Sequence, residues 1–177
     1  MAALIEAGRV ADAPFEVVLV LSNKPDAGGL ALARAAGVEA VAVDHRPFGK
    51  DREAHERALD AVLTEAGVEV VALAGYMRLL TPWLVRRWEG RMINIHPSLL
   101  PLHPGLDTHV RALAAGDAEA GCTVHLVTEG VDEGPILGQA RVPVVAGDTP
   151  EGLSQRVLAA EHMLYPQALA DFCRTLA

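Results

Sequence analysis

Met92-Ile93-Asn94-Ile95-His96-Pro97 is the stretch that most narrows what this chain can fold into. Apolar and polar residues alternate along it, so an extended backbone puts Asn94 and His96 on one face. Pro97 has no N–H to offer a central ladder and ends the strand. An amide and an imidazole therefore stand side by side at the C-terminal end of a strand, where open α/β sheets collect their ligands. His96 can accept or give up a proton near neutral pH. Asn94 is an uncharged donor suited to a developing oxyanion. The pair points to acyl-type chemistry rather than hydride or phosphoryl transfer. Taken alone, an Asn-x-His at a strand end is more often a satisfied structural pair.

The rest of the chain alternates strand and helix. Residues 2–7 read as helix, with Gly8 near its C-cap. Val17–Leu21 reads as a buried strand, Leu30–Ala36 as a helix closed by Gly37, and Ala40–Val43 as a short strand. A helix is expected over 51–66, with Ala54, Ala58, Ala61 and Val62 on one face, and a strand over Val68–Leu73. Thr81-Pro82 opens a helix through Trp88, proline taking its favoured first position. This rhythm predicts an α/β fold, a mostly parallel twisted sheet flanked by helices on both faces. It then changes. Residues 108–115 read as helix, and Cys122–Val127 and Ile136–Val144 as strands separated only by the eight residues Thr128–Pro135. That is too few for a helical crossover, so the pair is expected to be antiparallel. A long helix starts at Thr149-Pro150-Glu151 and runs to about Cys173.

At 177 residues the chain suits one domain, 1–177, around one core. Hydrophobic residues make up 51%, yet no apolar run reaches the roughly 18 residues of a membrane span. No basic-then-apolar leader opens it, so a cytoplasmic location is expected. Cys122 and Cys173 lie far apart without C-x-x-C spacing and read as reduced, structural residues. A net charge of −8 argues against a nucleic-acid partner. It does not argue against a small anion, which backbone N–H groups and one or two cations can hold. The seven histidines are scattered without metal-ligand spacing, so no metal is expected. Gly28-Gly29 is too little to mark a phosphate loop.

Two further stretches carry chemistry. Glu129-Gly130-Val131-Asp132-Glu133-Gly134-Pro135 joins the two late strands, and its glycines allow turns that bring Asp132 over a neighbouring strand end. A carboxylate beside His96 would favour the protonated ring and organise proton transfer, whereas a solvated turn acid is the plainer reading. Met77-Arg78-Leu79-Leu80 is apolar, cationic, then apolar. That suits a flat heteroaromatic ring with an acidic tail, the alternative being core residues with a surface arginine.

The decapeptide Met92–Pro101, continuing into Pro104-Gly105-Leu106-Asp107-Thr108-His109, closely resembles the signature of the folate-dependent formyltransferases, above all those that formylate 5-phosphoribosylglycinamide. The resemblance runs from residue 1 to about residue 170. It implies a Rossmann-like formyltransferase fold and transfer of a formyl group from 10-formyltetrahydrofolate, as cosubstrate, in purine biosynthesis. Its partners would be those two small molecules, with neither nucleic acid nor membrane, and a homodimer is left open. By the same resemblance Asn94, His96 and Asp132 are catalytic, with Glu133 second choice for the carboxylate. Arg52, Met77, Arg78, Leu79, Leu80, Asn94 and the segment Thr128, Glu129, Gly130, Val131 and Asp132 would receive the folate. Arg52 reads equally well as an ordinary exposed helix residue. Glu161, in Glu161-His162-Met163-Leu164-Tyr165-Pro166, would contact the glycinamide substrate. His103, His109 and His125 read as structural or rim residues, and His103 stands where the family more often has an aromatic.

The family normally opens with a strand and a Gly-x-Gly-Ser-Asn loop whose N–H groups hold the substrate phosphate. Here residues 1–7 already match the first helix, as if the start were placed late or the chain shortened. Two strands are then expected to keep unpaired edges, with one side of the core open. Two rival readings remain: a formyltetrahydrofolate hydrolase using water as acceptor, and a folate-binding module without catalysis. The Gly105–His109 and Glu161 stretches favour the glycinamide enzyme over the hydrolase.

Overall fold

The computed structural model describes residues 1–176. In chain order its elements are α1 (Ala2–Ala7), β1 (Leu19–Ser22), α2 (Gly28–Ala35), β2 (Glu39–Ala42), a 3₁₀ turn (Arg46–Phe48), α3 (Arg52–Glu65) and β3 (Val71–Leu73). There follow α4 (Pro82–Arg87), β4 (Met92–His96), α5 (Thr108–Ala115), β5 (Glu119–Leu126), β6 (Ile136–Pro143) and α6 (Pro150–Leu176). The α/β class and the antiparallel pair late in the chain are both present. β1 pairs with β2 and β3 with β4 in parallel, while β4–β5 and β5–β6 are antiparallel.

The strands form a two-stranded sheet, β1-β2, and a four-stranded sheet, β3-β4-β5-β6. Among the described residues β1 and β3 are therefore laddered on one side only, the open edges anticipated from the sequence. This also corrects the expectation of a buried first strand. With no strand beyond it, β1 is only half-buried, and Val18 just before it is 44% exposed.

The four-stranded sheet carries the core on both faces. Ile93 and Val124 are fully buried against Tyr165, Ala168, Leu169 and Phe172 of α6 and Leu4 of α1. Cys122 and Ala120 continue that layer against Leu153 and Val157. Met92, one residue from Ile93, points the other way into Leu84 and Trp88 of α4, as alternation along a strand requires. The Tyr165 hydroxyl crosses from α6 to donate to the Leu73 carbonyl at 2.8 Å, and burial pushes its pKa far up.

Local chemistry explains where the boundaries fall. Asp51 caps α3 by accepting from the Ala54 N–H at 2.9 Å. Thr81 precedes α4 but gives it no side-chain cap. Its hydroxyl and N–H both donate to Glu56, the N–H at 2.8 Å. Glu56 can consequently lie 2% exposed, and the buried face of α3 is His55, Glu56 and Leu59. The alanine face expected from periodicity is displaced, with Ala61 exposed. Gly8 does end α1, but in right-handed conformation at φ −71°. It is glycine for room, because a Cβ there would come 3.2 Å from the Phe15 ring.

The start of α6 is pinned electrostatically. Arg156 donates to both oxygens of Asp148, and the Val145 N–H donates to Oδ2 at 2.8 Å. The Arg156 hydrogen bonds, then that of Val145, hold the Asp148 carboxyl below its ordinary pKa. A depressed carboxyl stabilises the fold above its unfolded pKa and loses that contribution as pH falls through the folded value. Asp148→Asn is therefore expected to unfold at lower urea than the parent at pH 7, with the gap narrowing below about pH 4. A gap that is constant with pH would show that the Asp148 charge is not involved. Ile93→Ala, at the centre of the sheet, is expected to lower the unfolding free energy by about 3 kcal/mol in the same titration.

Candidate active site

Strand β4 delivers Asn94 and His96 to one face of the sheet, and β5 answers them across the antiparallel ladder: Asn94 is paired with His125, and His96 with Thr123. Directly opposed residues share a face, so the four side chains stand together. Thr123 serves the turn that follows β4. Its hydroxyl donates to the Ser98 carbonyl at 2.7 Å and accepts from the Leu100 N–H at 3.0 Å.

The loop from β5 to β6 brings in the carboxylate. Asp132 adopts a left-handed backbone, φ +56°, which Asp tolerates better than most residues. Its Oδ2 accepts from the Gly105 N–H at 2.8 Å and lies 3.3 Å from His96 Nδ1, and its Oδ1 lies 3.5 Å from His125 Nε2. The side chains of His96 and Asp132 are only 7% and 11% exposed. Asn94, His96 and Asp132, singled out separately in the sequence, thus converge. Glu133, the second candidate, is exposed and folds back toward Gly130.

The two histidines differ in their hydrogen bonding. His125 Nδ1 donates to the Leu126 carbonyl at 2.9 Å, which leaves Nε2 to accept from the Asn94 amide at 3.3 Å. One Asn94 N–H is held there, and the other is free for a ligand. His96 Nε2 donates to the His103 carbonyl at 3.0 Å while Nδ1 faces Asp132, so both of its nitrogens meet oxygen acceptors. His109 belongs to the same neighbourhood. Burial, then the nearby His96, holds its pKa below the usual histidine value. Sequence reasoning left His125 among structural or rim residues, and the structure puts it within reach of both Asn94 and Asp132. The alternation Thr123-Val124-His125 marks one face of a strand, but nothing in the pattern says which strand it pairs with or in what register.

A second group of residues adjoins Asn94. The parallel register sets Leu73 beside Asn94, so the segment leaving β3 begins next to the cluster. Leu80 packs with Leu84, Trp88, Met92 and Val127, while Met77 and Leu79 remain 75% and 63% exposed. Arg52 is more than an isolated helix residue, since it donates to the Leu79 carbonyl at 3.3 Å and links α3 to this segment. Arg78 is half-buried beside Tyr76. On the other side Glu129 pairs with Arg86 at 2.7 Å, and Val131 is 53% exposed. Backbone groups, apolar side chains and two arginines meet at the edges of this region, a donor set that fits a flat ring with an anionic tail. Glu161 stands apart, on α6. Burial raises its pKa and the Met1 amine opposes the shift.

Comparison with known proteins places the chain in a family. The family profile described as Formyl transferase matches residues 1–169. The chain is 44% identical over 170 residues to the phosphoribosylglycinamide formyltransferase of Escherichia coli (strain K12), covering 96% of this chain and 80% of that one. It is 48% identical over 155 residues to the trifunctional purine biosynthetic protein adenosine-3 of Drosophila melanogaster, covering 88% of this chain but only 11% of that protein. The chain therefore spans between 11% and 17% of the length of these trifunctional relatives. The crystal structure of phosphoribosylglycinamide formyltransferase from Brucella melitensis superposes with a TM-score of 0.92 at 56% identity, covering 97% of this chain and 88% of that one.

The position of Asp132 depends on the close turn at Gly134, where a Cβ would fall 1.7 Å from the Leu126 carbonyl oxygen. Backbone cannot swing aside as a side chain can. Gly134→Ala is expected to cost more than about 2 kcal/mol in unfolding free energy. It should also open the Thr128–Pro135 loop to hydrogen exchange; unchanged protection there would show that the loop does not need the glycine.

Proposed function

We propose that this chain, which belongs to the formyl transferase family, transfers the formyl group of 10-formyltetrahydrofolate to the amine of 5-phosphoribosylglycinamide. The observation that carries the proposal is the convergence of Asn94, His96 and Asp132 at the end of β4, with His96 3.3 Å from Asp132. The Escherichia coli and Brucella melitensis relatives are named phosphoribosylglycinamide formyltransferase, and the donor set beside Asn94 suits the folate. The fold reads as one functional domain, cytoplasmic, and a homodimer belongs to the same reading; light scattering on the purified protein decides the last point.

In this mechanism the neutral amine attacks the formyl carbon directly. Asn94 donates its free N–H to the developing oxyanion, since His125 already holds the other. His96 takes the proton that the attacking amine must lose and returns it to the departing folate nitrogen. Asp132, fixed by the Gly105 N–H, orients His96 and balances its charge. Arg52 and the segment Met77, Arg78, Leu79 and Leu80 hold the folate from one side, and the backbone of Thr128–Asp132 holds it from the other. Glu161 receives the glycinamide end of the acceptor. Among the described residues no serine or cysteine stands beside a base as an activated nucleophile, so no covalent enzyme intermediate enters the scheme.

His96→Ala and Asp132→Ala are each expected to lower turnover by about 10²- to 10⁴-fold while folate affinity stays within a few-fold of the parent. A near-normal rate in either variant removes that residue from the mechanism. Phosphate recognition is tested by assaying this chain beside one carrying an added strand and Gly-x-Gly-Ser-Asn loop ahead of Met1, a segment able to pair with the open edges of β1 and β3. The longer protein is expected to show the lower KM for the phosphorylated acceptor. Formate release without any amine would instead identify a hydrolase.

A further inference from the structure

The imidazole of His96 is held from two sides, and only one of them, Asp132, comes from the loop between β5 and β6. The other is the backbone carbonyl of His103, 3.0 Å from Nε2. That carbonyl belongs to the turn between β4 and α5, which takes a costly path. His103, Gly105 and Asp107 all have left-handed backbones, with φ of +53°, +78° and +57°. Two of the three are not glycine, and such conformations persist only when the surroundings enforce them.

Several contacts do so. Ser98 Oγ donates to the Leu102 carbonyl at 2.6 Å, Arg111 donates to the carbonyls of Pro104 and Leu106, and Asp132 receives the Gly105 N–H. The remaining contact is made by the His103 side chain itself. Its Nε2 lies 2.6 Å from Asp117 Oδ2, with the two side chains 16% and 24% exposed. Asp117 is itself anchored, its N–H donating to the Ala112 carbonyl at 3.1 Å just beyond α5. The bond therefore ties the turn ahead of α5 to the segment that follows α5. The residue carrying the carbonyl that faces His96 is the same residue whose side chain is tethered.

Resting on the proposed reaction, we propose that His103 and Asp117 are positioning residues that fix the His96 ring through the His103 carbonyl. A hydrogen bond with a charged acceptor at this distance is of the stronger kind, and its short separation leaves the turn little freedom. Without it the carbonyl moves relative to His96, the Nε2–H loses its acceptor, and the ring is no longer held in the plane that presents Nδ1 to Asp132. Small misplacements of a proton-transferring group are costly even when every substrate contact is intact.

The test uses His103→Leu, Asp117→Leu and their double variant, with Asp117→Asn keeping an oxygen acceptor. Each leucine variant is expected to lower kcat by about 10- to 100-fold with both KM values within about two-fold, the double variant no worse than the singles, and Asp117→Asn to recover most of the rate. In ¹⁵N-histidine spectra the His96 Nε2–H resonance of the parent should broaden or vanish in both leucine variants and persist in Asp117→Asn. An unchanged kcat in both single variants overturns the proposal. So does a kcat loss with the His96 resonance intact, or losses that multiply in the double variant. If the parent transfers no formyl group, the proposed function fails, and the His96 spectra still decide whether the tether holds the ring.

Discussion

A nearly buried carboxylate, that of Asp132, is the constraint around which the site is arranged. An ionised carboxyl shielded from water is unfavourable unless its oxygens find donors. Here Oδ2 accepts from the Gly105 N–H at 2.8 Å and faces His96 Nδ1 at 3.3 Å, while Oδ1 lies 3.5 Å from the ring of His125. Those partners come from the turn after β4, from β4 itself and from β5. Satisfying one charge therefore sets the position of three segments at once, and the left-handed backbone at Asp132 is the local cost of that arrangement.

The open edges of β1 and β3 lie outside this network. The hydrogen bonds and close contacts that join Asn94, His96, His125, Asp132 and Gly105 run between residues that follow β3 in the chain. Beneath them, Ile93 and Val124 seal the same strands against α6, and Met92 seals the other face against α4. That core is shared with the N-terminal part of the chain, through Leu4 of α1 and the neighbouring Phe15 and Val17.

What the sequence revealed and what it concealed divide along one physical line. Strand β4 was legible because alternation and a terminating proline are local signals, and the α5 boundaries, Thr108–Ala115, fell where the pattern put them. The late hairpin was legible because eight residues cannot make a crossover. Asp132 was visible as an acid in a glycine-rich loop, although its catalytic reading came from the resemblance and not from the spacing. The hidden features are all pairings between distant segments. His125 looked like any strand histidine until the register placed it opposite Asn94. The buried face of α3 was misjudged because Glu56, an acid expected in solvent, is satisfied by Thr81, 25 residues away. Arg52 could not be told from a surface arginine without its bond to Leu79.

The two histidines that flank Asp132 show why residue type alone is a weak guide to role. His125 donates from Nδ1 to a strand carbonyl and accepts at Nε2 from Asn94, an arrangement complete with a single proton on the ring. It serves the neutral imidazole as an anchor. His96 meets an oxygen at each nitrogen, one from His103 and one from Asp132, so a second proton on that ring has somewhere to point. In the proposed mechanism Nδ1 is the nitrogen that takes the proton of the attacking amine and gives it to the departing nitrogen, with Asp132 beside it to hold the protonated ring. In that mechanism the same residue type therefore serves as fixed support on one side of the carboxylate and as proton carrier on the other. The difference lies in the backbone carbonyls that β5 and the turn after β4 present to the two rings.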